Sequence, residues 1–192
     1  MKLDQYQITE CSCQKCISYC RQRPGWFRPE EIAPLAEFLG LIIEETFEKY
    51  LILDWWGEDK IYLLSPAKDF DKLLFSKDPL KRELASLYLE SNKLLGRDCD
   101  RAGSYASFAY AFVHAPCVFL RGNKCSIYPV RPFECKVTWH KNSDSIFSIR
   151  KLIAEEWKQS KLLERLDLFD EFHRPVRRFK LSRKVFRDKR KR

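Results

Sequence analysis

Seven of the eight cysteines in this 192-residue chain fall into two groups. Cys11, Cys13, Cys16 and Cys20 crowd into the stretch CSCQKCISYC. Cys117, Cys125 and Cys135 follow about a hundred residues later, at gaps of eight and ten. Thiolates select soft or borderline metals, so zinc and iron–sulfur clusters are the chemistry to consider. A Cys-x-x-Cys turn delivers two sulfurs from one bend, and distant residues supply the rest. Cys13-Gln14-Lys15-Cys16 is such a turn. Cys20 is the candidate third ligand and Cys11 a further one.

The second group is set in CVFLRGNKCSIYPVRPFEC. Gly122-Asn123 reads as a turn, and Pro129 and Pro132 stiffen the backbone around Cys125 and Cys135. A rigid irregular loop holds sulfur positions without a large core. The bland alternative for any unpaired cysteine is a small buried hydrophobe. That reading suits Cys99, which lies outside both groups, better than it suits Cys13, Cys16, Cys20, Cys117, Cys125 and Cys135. If the two groups share a metal, the loop from Cys20 to Cys117 is clipped. On the entropy model used for disulfides, such a clip is worth roughly 4 to 5 kcal/mol.

Four thiolates around a divalent ion leave a net charge near −2, which calls for cationic or donating neighbours. Arg131 is the best placed, because its planar fork can serve two acceptors at once. Lys124 and Lys136 are near in sequence but read more simply as surface. His140, five residues after Cys135, is a candidate ligand for a mixed site. His114 and His173 read as ordinary surface or hydrogen-bonded histidines.

The later motif, Cys125, Ile127, Tyr128, Arg131, Pro132 and Cys135 preceded by Cys117, resembles that of the YkgJ-like cysteine-cluster family of zinc- or iron-chelating domains. That family pairs it with an N-terminal Cys-x-x-Cys-x-x-Cys-Cys. Cys13, Cys16 and Cys20 match this pattern, whereas Tyr19 stands where the first of the paired cysteines would be, and Cys11 is the candidate replacement. RPEEIAPLAEFLGLIIEETFEKYL is similar to the helix that follows the family's first cysteines. The resemblance covers residues 11–140 and implies a metal or iron–sulfur protein. One branch of the family is a flagellin lysine methylase, which implies an enzyme as a second reading.

The elements that must position these sulfurs are legible in outline. Pro29, Glu30 and Glu31 begin a helix, with Pro and acids in the first turn. Ile32, Leu35, Ala36 and Leu39 continue it at helical spacing; Pro34 weakens a single helix and Gly40 ends it. A second helix covers 42–50. ILDWW, GED and KIYLLS then read as a hairpin. Asp78-Pro79 starts another helix, with Leu80, Leu84, Leu87, Tyr88 and Leu95 as its stripe. Residues 97–142 are irregular. Ile146 to Phe172 is predicted as one C-terminal helix, with Ile149, Ile153, Leu162, Leu163 and Leu166 sharing a face. The expected fold is a metal-stapled single domain over 1–173, mainly α with a small β-hairpin and irregular cysteine-rich loops.

The composition is globular, at 45% hydrophobic residues. No run approaches the roughly 18 apolar residues of a membrane span. The N-terminal MKLDQYQITEC has no apolar signal-like core, so a cytosolic location, with thiols kept reduced, is the expectation. The net charge of +9 is concentrated in residues 174–192, which hold eleven Lys or Arg and one Asp. That tail interleaves Phe179 and Phe186 with cations and suits nucleic acid or an anionic surface. A third reading is therefore a nucleic-acid-associated module with structural metal. No nucleophile elbow, phosphate loop or dinucleotide glycine motif is present, so the residues leave open whether the chain is an enzyme.

Overall fold

The computed structural model describes residues 3–10, 13–94, 100–137, 145–166 and 168. Cys11, Cys99, Trp139, His140, His173 and the basic tail lie outside the described residues.

The centre of the fold is the expected hairpin. Strand β1 (Leu51–Trp56) pairs antiparallel with β2 (Ile61–Pro66), in register from Leu51 opposite Pro66 to Trp56 opposite Ile61. Branched and aromatic side chains favour such a pleated, half-buried surface. Leu51, Ile52, Leu53, Leu63 and Leu64 are buried. Residues 103–106 run alongside β1, with Leu53 N–H donating to Ser104 O (2.9 Å) and Ala106 N–H to Leu53 O (2.8 Å).

Helices cover the hairpin. The first, α1 (Gln14–Cys20), carries Cys16 and Cys20, with Cys13 just before it, and α2 (Ile32–Leu39) follows a 3-10 turn at Pro29–Glu31. Pro34 does not break α2: it sits in the first turn, where a backbone N–H has no helical partner to lose. Gly40 caps the helix in the left-handed conformation, φ 65°. Helix α3 (Ile43–Tyr50) follows and buries Phe47. Helix α4 (Phe70–Leu74) is capped by Asp69, whose carboxylate accepts the Lys72 N–H.

Helix α5 (Pro79–Leu94) has the expected period, but only Tyr88 among the described residues of the predicted stripe is buried. Leu80, Leu84 and Leu87 are exposed, while Ala85 and Tyr88 are buried. Tyr88 packs on Phe70, with ring centroids 5.0 Å apart. Its hydroxyl shares a hydrogen bond with Ser107, and that buried anchor decides which face turns inward.

After the short ribbon β3 (Leu120–Arg121) and β4 (Lys124–Cys125), α6 (Phe133–Val137) carries Cys135. The long C-terminal helix predicted over 146–172 is corrected: α7 spans Ile146–Gln159, the chain turns at Ser160, and α8 is only Leu162–Arg165. The reason is local. Ser160 is extended (φ −86°, ψ 137°), and its hydroxyl accepts the Leu162 N–H. The break folds Leu163 and Leu166 back into the core beside Ile149, Ile153 and Trp157. The predicted apolar face is thus right, although one helix does not carry it. The described structure is about half helical around a small antiparallel hairpin. Among the described residues no helix is long and apolar enough to cross a membrane.

Candidate metal centre

Four different elements bring the cysteines together. Cys20 ends α1. Beyond β2 the chain at 67–69 pairs with 116–118: Asp69 N–H donates to Pro116 O (2.7 Å) and Val118 N–H to Ala67 O (2.9 Å). The strand pairing sets Cys117 against α1, and its N–H donates to Cys20 O at 2.6 Å. Cys125 lies in β4 opposite Leu120. The turn between β3 and β4 uses Gly122 at φ 59° and is tied to α1 by Arg21, which donates to Asn123 Oδ1 at 2.6 Å.

Two glutamates place Cys135. Glu31 accepts from Arg28 N–H (3.0 Å), Phe133 N–H (2.8 Å) and Lys136 Nζ (2.7 Å), so one carboxylate starts α2 and holds the start of α6. Glu134 is buried; it accepts the Trp26 N–H (2.8 Å) and pairs with buried Arg150 at 2.7 Å. Arg150 in turn lies over the Trp26 ring at 4.5 Å. Residues 25–31 are thereby pressed against α6. The approach is close enough that a Cβ on Gly25 would stand 2.6 Å from Cys135 Sγ.

The result is a cavity of about 160 Å³ whose wall includes Cys16, Cys20, Cys117, Cys125 and Cys135. Cys13 is exposed, with its sulfur 3.9 Å from that of Cys16. Arg131 also lines the cavity and is buried. Its guanidinium donates to Tyr128 O and Thr9 O, both at 2.8 Å, and stacks on the Tyr128 ring at 3.8 Å. Lys124 is exposed, and Lys136 is spent on Glu31. His114 is exposed and lies outside this wall.

The electrostatics describe neutral thiols. Burial pushes Cys20 up to about 11, the neighbouring Cys125 adds to the rise, and Arg131 opposes it. Burial also raises Cys125, and it drives Cys117 and Cys135 well above the ordinary thiol range. Such a site does not make an activated nucleophile, which needs a depressed pKa. It suits a cation that displaces the protons on entry. Among the described residues no group of three His, Cys, Asp or Glu side chains is arranged to hold a metal ion. The sulfurs share a cavity wall and do not converge on one point.

Sequence reasoning found the cysteines and Arg131 but missed Glu31, Glu134 and Arg150. Nothing in the spacing of a glutamate and an arginine sixteen residues apart marks a buried pair. No family model, no curated protein and no solved structure matches this chain.

Proposed function

We propose that this chain is a metal protein that holds an iron–sulfur cluster between its two cysteine groups. Cys20, Cys117, Cys125 and Cys135 are the ligands, Cys16 is the nearest additional sulfur, and Arg131 offsets their charge. The carrying observation is that five cysteines from both groups line one cavity of about 160 Å³.

The cavity's volume supports a cluster over a single ion. A tetrahedral zinc draws four sulfurs to about 2.3 Å and leaves no void among them. A cavity of this size with sulfur on several sides suits a multi-atom cluster held by Cys thiolates. The donor set is chemically right for it, since the wall offers soft sulfur. When bound, the cluster would supply one-electron redox chemistry. The motif Cys125, Ile127, Tyr128, Arg131, Pro132, Cys135 supports the same reading through its resemblance to the YkgJ-like cysteine-cluster family. The reading requires a compartment that keeps thiols reduced, and the cytosol is such a compartment.

Anaerobic reconstitution tests it. Metal-free protein given ferrous iron and sulfide under reducing conditions should gain a broad visible absorption. Cys135→Ser should not. A chain that takes up one zinc tightly, and stays colourless with iron and sulfide, would replace the cluster with a structural zinc site.

A further inference from the structure

We propose that a second cavity, on the far side of Arg23 and Pro24 from the thiols, binds a small planar molecule bearing one negative charge, of the single-ring carboxylate class. This cavity has a volume of about 180 Å³. A dry cavity of about 150 Å³ takes a benzene ring, so the space admits one ring with a small substituent. Trp26, Trp55, Trp56 and Tyr110 contribute to its wall. Flat aromatic faces of this kind hold a planar ring by stacking and edge contacts.

The charges on the wall decide the sign of the ligand. Arg23 and Arg150 are its cations and Asp54 its carboxylate. Arg150 is engaged: two of its nitrogens donate to Glu134 Oε1, at 2.8 and 2.7 Å. Asp54 is engaged as well. One oxygen accepts from Trp26 Nε1 at 3.0 Å and the other from Trp55 N–H at 2.9 Å. Burial raises its carboxyl above the usual range, which weakens it as a counter-ion for an incoming cation. Arg23 differs from both. The residue is exposed at the rim, but its guanidinium is partly desolvated and lies near Arg150, both of which lower its pKa, and it makes no side-chain hydrogen bond or ion pair with any described residue. An incoming ammonium would meet two guanidiniums and one carboxylate already in use. An incoming carboxylate meets an open planar fork suited to two parallel hydrogen bonds.

The inner wall adds a donor. Ser65 is buried, and its hydroxyl has only a long contact of 3.5 Å with Pro66 O. At that distance the hydroxyl has little to lose by turning to a ligand. The site therefore has an anion-binding rim, aromatic sides and one hydroxyl within. Arg23, Pro24 and Arg150 border both cavities, whereas Trp26, Trp55, Trp56, Tyr110 and Ser65 line only this one. The inference holds whether or not a metal is present.

Titration of the full chain with benzoate, followed by tryptophan emission, tests the site. Benzylammonium serves as the matched cation. Benzoate should give a saturable change and bind at least about tenfold more tightly than benzylammonium. Arg23→Gln should weaken benzoate by about tenfold or more while leaving circular dichroism unchanged, because its side chain makes no hydrogen bond or ion pair with a described residue. No saturable change up to about 10 mM benzoate would overturn the proposal. So would benzylammonium binding as well as benzoate, or equal benzoate affinity in Arg23→Gln.

Discussion

The backbone N–H of Cys117 donates to the carbonyl oxygen of Cys20 at 2.6 Å, joining the two cysteine groups across most of the domain. The link is made by backbone: the pairing of 67–69 with 116–118 sets Cys117 beside the end of α1. A metal held by both cysteine groups would reinforce this junction.

Replacing a wall cysteine should therefore cost metal first and folding second. Cys117→Ser and Cys135→Ser should lose bound metal and show a lower Tm than the loaded protein, on the scale of roughly 4 to 5 kcal/mol for a clip of this loop length. Cys99→Ser should match the parent in both. Metal content and thermal unfolding read the two effects separately. Full metal content in Cys135→Ser would contradict the ligand set.

Gly25 tests the packing behind the site. A methyl group there would stand 2.6 Å from Cys135 Sγ and 3.2 Å from Cys135 N, and the backbone atom cannot swing aside. Gly25→Ala should destabilise by about 1 to 3 kcal/mol, as overpacking does. It should also reduce metal loading by displacing Cys135. Denaturant unfolding with parallel metal analysis checks both, and a variant as stable and as loaded as the parent would show that α6 can shift freely.

The Glu134–Arg150 pair should behave as a buried ion pair. Removing one partner leaves the other charge buried and costs about 3 to 5 kcal/mol, whereas replacing both with apolar residues costs much less. Glu134→Leu should thus be far more damaging than Glu134→Leu with Arg150→Leu. Both variants leave Trp26 N–H without this acceptor, so that loss cancels in the comparison. Equal unfolding free energies for the two would mean that the pair is not coupled.

Lys68 gives a pH signature. It is buried, its ammonium donates to Tyr110 O and Val113 O, and burial lowers its pKa from the ordinary 10.5 to about 8. The unfolded chain therefore binds this proton more tightly than the folded one. Stability from this group rises with pH between about 8 and 10.5, because ν is larger in the unfolded state there. Lys68→Met lacks that rise. The stability of the parent relative to Lys68→Met should increase from about pH 7.5 to pH 10, while a flat difference would contradict the shift.

The sequence carried the elements further than their orientation. The hairpin was legible because ILDWW and KIYLLS are rich in branched and aromatic residues around a polar turn, and its register follows. The apolar face of Ile149 and Ile153 was legible for the same kind of reason. The stripe of Leu80, Leu84, Leu87 and Tyr88 showed a helix but not which of them meet the protein, since Tyr88 settles that through its contacts with Phe70 and Ser107. Ser160 ends α7 by a local hydroxyl bond that helical spacing does not reveal. At the site, the sulfurs were visible as residue types. The glutamates that aim Cys135 were not, because long-range ion pairs leave no mark on local pattern.

Metal and acid-labile sulfide analysis of protein isolated without oxygen is the most direct test of the central claim. The account predicts iron and sulfide in near-equal amounts, with a visible absorption that disappears in Cys117→Ser. Stoichiometric zinc without sulfide would contradict the cluster, and a metal-free protein whose Tm is unmoved by iron, sulfide or zinc would contradict a metal centre altogether.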